Sequence, residues 1–266
     1  MVKRDLLKVA VYLEEVSEDP LVACQVLRSH SIPYVALKHV WSNNIESLSD
    51  DTYVKLRQIL EDEDMTPILL APKLGSIPAH ELTRITNDQI QKIFNLVTYF
   101  KTPIVRISTG LKSPQDCSTI IDDWMTRITE YAISANVIPV LEITHDSYLF
   151  SPVDIADKLN KHKKWKLLYD PAQFILRQKM NPFTKYWSLL KQNVVAIDVR
   201  DIKIGRGFKP AGFGDAKIDM TIKDSLNNYR GWYIIEPSLG RRHGSAVKKE
   251  DTFKLALDAF ENIINS

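Results

Sequence analysis

Cysteine is nearly absent from this sequence: Cys24 and Cys117 are the only two among 266 residues, and they fall in different predicted helices. Two isolated thiols form neither a disulfide framework nor a paired metal-ligand set, and they point to a reducing cytoplasm. An excess of charge is absent too. The 35 Lys and Arg against 33 Asp and Glu leave a net +2, too little to recruit nucleic acid or an anionic membrane. No apolar run approaches the roughly 18–20 residues of a membrane span. The opening residues, Met1 to Lys8, carry basic side chains without the apolar core of a signal peptide. There is no Gly-rich dinucleotide turn, no Walker sequence, no nucleophile elbow and no His-Glu-x-x-His. Glycine and proline do not gather into an interdomain linker, so one domain over 1–266 is expected.

What is present is alternation. Apolar runs of strand length lie near 7–13, 34–38, 66–71, 103–108, 138–143, 166–170, 194–199 and 232–236. Helical periodicity follows each, near 20–30, 50–63, 87–101, 114–136, 152–162, 182–192, 218–229 and 249–264. Eight strands, each followed by a helix, in a chain of this length predict an α/β fold, a single (β/α)8 TIM barrel. A doubly wound open sheet would need a Gly-rich first turn that is missing. Ser49 before Asp50-Asp51, Ser113 before Pro114 and Ser151 before Pro152 read as helix N-caps. The irregular stretches 72–86 and 201–217 are expected as the third and seventh βα loops.

Four acids end four successive strands: Glu142, Asp170, Asp198 and Glu236. Parallel barrel strands bring such residues to one mouth. Converging carboxylates repel one another unless a cation, protons or a cationic ligand sits among them, so a metal-centred site is the leading expectation. Oxygen ligands favour Mg2+ or Mn2+; a nearby imidazole would extend the choice to Zn2+ or Co2+. His145, three residues after Glu142, is within reach of the same pocket; His39 and His243 are weaker candidates. Arg106, inside the fourth strand, either clamps a substrate anion or pairs with Glu142. Lys38, Arg200 and Lys203 are placed to line the mouth. Arg241 and Arg242 follow the last strand, where barrels often hold phosphate. Gly212 and Gly214 permit tight turns or close approach to a ligand.

These features together resemble the xylose isomerase-like barrels, which include sugar-phosphate isomerases and epimerases and endonuclease IV relatives. The resemblance spans nearly the whole chain. It rests on Tyr34-Val-Ala-Leu-Lys-His-Val-Trp41, Val105-Arg-Ile-Ser-Thr-Gly110, Leu141-Glu-Ile-Thr-His145, Tyr169-Asp-Pro-Ala-Gln-Phe174, Ile197-Asp-Val-Arg-Asp201, Pro210-Ala-Gly-Phe-Gly-Asp215 and Ile235-Glu-Pro-Ser238. It implies a divalent metal held by Glu142, Asp170, position 198 and Glu236. Position 198 is Asp where the family has His, and Gln173 stands where the family often has His or Asn. The resemblance further implies proton transfer beside a carbonyl of a small carbohydrate. Glu142 and Glu236 would move the proton, and Lys38, Arg106, His145, Gln173 and Arg200 would bind substrate. A nuclease would need more histidines and more positive charge. A non-catalytic ligand-binding barrel stays open because of Asp198. Homo-oligomers are common among such barrels, and nothing in the sequence chooses a state.

Overall fold

The computed structural model describes residue 4 and residues 7–239 and 248–266. Eight strands close into one barrel: β1 (Lys8–Tyr12), β2 (Tyr34–Leu37), β3 (Thr66–Leu70), β4 (Ile104–Ser108), β5 (Ile138–Glu142), β6 (Lys166–Tyr169), β7 (Val194–Val199) and β8 (Trp232–Ile235). Each pairs in parallel with its neighbours in chain order, and β1 closes on β8. The expected eightfold alternation is therefore the fold, with strand ends within about a residue or two of the apolar runs.

Inside the barrel every second residue points to the axis. Ala10, Ala36, Ile68, Ile104, Val140, Leu168, Ala196 and Ile234 form this inner core. Two residues on along the chain, the same direction delivers Tyr12, Lys38, Arg106, Glu142, Asp170, Asp198 and Glu236 to the C-terminal mouth. Register sets their depth. Arg106 is level with Val140 and Asp198 with Ile234, so both lie below Glu142 and Glu236.

A second, larger core fills the space between barrel and helices. The helices are α1 (Pro20–Ser29), α2 (Asp50–Asp62), α3 (Asn87–Phe100), α4 (Ser118–Ser134), α5 (Pro152–Lys161), α6 (Pro171–Gln178), α7 (Ile218–Ser225) and α8 (Lys249–Asn265). On α4 the face Ile121, Trp124, Met125, Ile128 and Ala132 is buried as its spacing requires. Trp124 also donates from Nε1 to the carbonyl of Ser108 at 3.0 Å, so its burial leaves no unpaired N–H.

Three local expectations are corrected. Helix α4 begins at Ser118, not Pro114, because Ser113 Oγ accepts from Gln115 N in a tight turn and also meets His80. The helix expected over 182–192 is a π turn at Phe183–Trp187 running through a single α turn into a 3-10 turn that ends at Asn193. Helix α6 was not anticipated, although Asp170-Pro171 carries the N-cap and N1 signal.

The loop 201–217 is a hairpin, Asp201–Lys203 with Gly207–Lys209, followed by turns. Its organiser is the buried Asp201 carboxylate, which accepts from the backbone N–H of Ile202, Gly212, Gly214 and Ala216 at 2.8–3.1 Å. The two glycines serve this internal acceptor. Gly212 sits at φ +85°, and a Cβ on Gly214 would lie 2.1 Å from Asp201 Oδ1. Gly214→Ala should therefore lower stability by about 1–3 kcal/mol through forced displacement of that carboxylate. Urea denaturation reads this directly, and an unchanged midpoint would show that the loop yields without cost.

Candidate active site at the barrel mouth

A cavity of about 300 Å3 opens at the C-terminal mouth, at the lower end of the range for small-molecule sites. Lys38, Arg106, Glu142, His145, Asp170, Gln173, Asp198, Arg200 and Glu236 all line it. Every expected catalytic, metal-binding and substrate-binding residue thus reaches one pocket.

Their pairing is specific. Arg106 Nη1 meets Glu142 Oε1 at 3.1 Å, which is the pairing alternative read from the sequence. Lys38 Nζ donates to Glu236 Oε1 at 2.9 Å, and its ammonium lies 5.2 Å from the centre of the Tyr12 ring. Arg200 is the hub. Its Nε donates to Asp170 Oδ2 at 3.0 Å, and Nη2 donates to the same oxygen. Nη1 reaches Ser238 Oγ at 3.2 Å and Glu236 Oε1 at 3.3 Å. Asp170 has a second duty: Oδ1 accepts from Ala172 N at 3.1 Å and caps α6. Gln173, on the first turn of α6, accepts from the backbone N–H of His145 at 3.0 Å, and its Oε1 lies 3.0 Å from His145 Nδ1. His145 therefore stands at the rim, tied to Gln173 and to Asp146 at 3.2 Å.

Burial separates the acids electrostatically. Asp198 is pushed well above the usual carboxylate range, first by burial and then by Glu236 and Asp170, against the pull of Arg200 and Arg106. Burial alone would raise Glu236 as well, but Arg200, Lys38 and Arg106 outweigh it and hold that carboxyl well below its ordinary value. Burial and neighbouring charge thus favour the protonated form of Asp198. Among the described residues, the cations Lys38, Arg106 and Arg200 face the four acids.

Four buried polar atoms in this group have no hydrogen-bond partner among the described residues: Tyr12 hydroxyl, Arg106 Nε, Asp198 Oδ1 and Glu236 Oε2. Tyr12 was missed in the sequence because it closes an apolar run; its place two residues beyond inward-facing Ala10 was the available signal. Ser238, which closes the Ile235-Glu-Pro-Ser238 segment, steadies Arg200 by accepting from its Nη1. Of the weaker candidates, His39 pairs with Glu14 at 3.2 Å, and Lys203 with Asp215 at 2.6 Å. Arg241, Arg242 and His243 lie outside the described residues.

The metal expectation meets a different arrangement. Among the described residues, no group of three or more His, Cys, Asp or Glu is disposed to hold an ion. Both oxygens of Asp170 are committed, Glu236 Oε1 already accepts from Lys38 and is paired with Arg200, and no imidazole stands at position 198. The residues as arranged do not fit a divalent ion.

The chain belongs to the xylose isomerase-like TIM barrel family, whose sequence model matches residues 25–263. No curated protein matches the sequence significantly. Solved structures share the fold at low identity. A xylose isomerase-like barrel from Mycobacterium smegmatis in complex with magnesium has TM-score 0.71 and 13% identity, covering 100% of this chain and 99% of its own. The IOLI protein with a bound zinc atom has TM-score 0.78 and 13% identity, with coverages of 97% and 98%. D-allulose 3-epimerase from Methylomonas sp. in complex with D-allulose has TM-score 0.72 and 13% identity, with coverages of 97% and 96%. Distant homologues thus bind Mg2+ or Zn2+, and one binds a sugar. Among the described residues, no helix is long and apolar enough to cross a membrane.

Removing the hub tests the electrostatics. Arg200→Met leaves Asp170 and Glu236 buried with too little positive charge and should cost about 3–5 kcal/mol in urea denaturation. Asp198→Asn, which replaces a carboxyl whose charged form burial disfavours, should change stability by less than about 1 kcal/mol. Equal losses from the two variants would refute this charge assignment.

Proposed function

We propose that this barrel acts on a small carbohydrate or polyhydroxy acid as an isomerase or epimerase, by moving a proton on a carbon next to a carbonyl. The observation that carries this reading is the convergence of Glu142 and Glu236 with Lys38, Arg106 and Arg200 on one cavity. Such a lining calls for a ligand rich in oxygens that both donate and accept. A polyhydroxylated chain with a carbonyl has that character, and a cavity of about 300 Å3 suits a small one.

In this reading Glu142 and Glu236 are the proton-transfer pair. Glu142 ends β5 at the rim, with one ion pair to Arg106. Glu236 follows β8 and is held ionised by Lys38, Arg106 and Arg200. One carboxylate takes the proton from the substrate carbon; the other takes a proton from solvent water and delivers it to the adjacent carbon or the opposite face, and the first releases its proton to solvent before the next turnover. The negative charge that develops on the substrate oxygen is met by the ammonium and the two guanidinium groups already in place. Gln173 and His145 close the rim. A metal-dependent version, with Mn2+ or Mg2+ favoured, would place an ion among Glu142, Asp170, Asp198 and Glu236. The pairing described above commits both oxygens of Asp170 and one each of Glu142 and Glu236 to cations or the α6 cap, and no step here passes through a metal.

A second reading, ligand binding without catalysis, is favoured by the mutual pairing of carboxylates and cations. Nuclease activity has no such support: His145 is the only histidine among the residues lining the cavity.

Incubating the protein with a panel of ketoses and sugar acids in deuterated water tests the proposal. Wild type should incorporate deuterium at carbon into at least one of them. Glu142→Gln and Glu236→Gln should each lower that exchange by about 10²–10⁴-fold while the circular dichroism spectrum is retained. Exchange at the wild-type rate in either variant removes that residue from the proton transfer. Saturable binding with no exchange at all selects the second reading.

A further inference from the structure

The four acids at the mouth raise the question of what balances them. We infer that the guanidinium of Arg200 is the resident cation of this site, seated between Asp170 and Glu236, and that the chain takes up no divalent ion there. The inference goes beyond the proposed reaction, which fixes the class of chemistry and not the source of positive charge.

Strand periodicity explains how the guanidinium gets there. Asp198 and Arg200 are two residues apart at the end of β7, so both turn toward the barrel axis. An acid at position 198 adds a carboxyl to the cluster, and the same strand delivers an arginine to its centre. Three independent contacts fix it. Two of its nitrogens converge on Asp170 Oδ2, a third reaches Ser238 Oγ and Glu236, and the Phe208 ring packs 5.1 Å from the guanidinium carbon. Arg200 is only 7% exposed. It is built into the mouth and does not swing in from solvent.

Much of the oxygen that a divalent ion needs is spent accordingly, and the two oxygens left without a partner, Asp198 Oδ1 and Glu236 Oε2, do not make a coordination shell by themselves. Asp170 divides its two between the α6 N-cap and Arg200. Glu236 shares one between Lys38 and Arg200. Glu142 is paired with Arg106. An added double positive charge would sit close to the ammonium of Lys38 and the guanidinium groups of Arg106 and Arg200, in a partly desolvated pocket where such repulsion is poorly screened. Among the described residues no imidazole compensates, because His145 is turned to Gln173 and Asp146, and His39 is paired with Glu14. A guanidinium also suits the role chemically: it is planar, permanently charged and able to bridge two carboxylates, which a lysine ammonium does less well.

The test reads ion binding and not turnover, so its failure is distinguishable from failure of the proposed reaction. Purified wild type is dialysed against millimolar MnCl2, freed of excess ion, and analysed for bound Mn2+ by mass spectrometry; its melting temperature is recorded with MnCl2 and with EDTA. Wild type should hold no stoichiometric Mn2+ and should melt at the same temperature in both. Arg200→Gln, which frees Asp170 and Glu236, should take up one Mn2+ per chain and melt higher with the ion than with EDTA. Asp198→His keeps Arg200 in place and should still take up none. A wild type that retains stoichiometric Mn2+ or is stabilised by it overturns the inference. So does a folded Arg200→Gln protein that binds no Mn2+. If Arg200→Gln does not fold in either condition, wild type and Asp198→His decide: uptake by Asp198→His with Arg200 present also overturns it.

Discussion

Charge balance inside a poorly solvated mouth is the constraint that orders the upper half of this barrel. Four carboxyl groups and three cations meet within a few side-chain lengths, and several of them are almost completely covered. Isolated, each would be costly to bury. Together they are tolerable because Asp170, Glu142 and Glu236 each have a cationic partner and the charged form of Asp198 is disfavoured by burial. The arrangement reaches outward. Asp170 ties the cluster to the start of α6, and Gln173 on that helix holds the loop bearing His145. Ser238, beside Arg200, also donates its backbone N–H to Glu15 behind β1.

The eight strands were legible because apolar runs of strand length recur with helical periods between them, and no competing pattern interrupts them. The convergence of Glu142, Asp170, Asp198 and Glu236 was legible for the same reason: strand ends in a parallel barrel share one mouth. Who pairs with whom was not. Arg200 joins Asp170 and Glu236 from strands that neighbour its own, and that partnership depends on stagger between strands, which no spacing along the chain encodes. The upward push on Asp198 also follows from depth, set by its register with Ile234. Tyr12 was hidden inside an apolar run. The true start of α4 was hidden by Ser113, whose capping chemistry is used in a turn instead.

Membership of a fold family leaves the electrostatics of a site open. Solved barrels with the same architecture carry magnesium, zinc or a sugar. Here Asp198 and Arg200 stand together at the end of one strand, two residues apart along β7, above an inner core that runs from Ala10 to Ile234.

The loop 201–217 reaches this mouth through Phe208, and its shape is set from within. Four backbone N–H groups converge on Asp201, and Lys203 Nζ is 2.6 Å from Asp215 across the same loop. A loop fastened in this way before any ligand arrives has little conformational entropy left to lose on binding. Affinity at this mouth would then be spent on the ligand's own oxygens and not on ordering protein, and association would resemble entry into a formed slot more than closure of a lid.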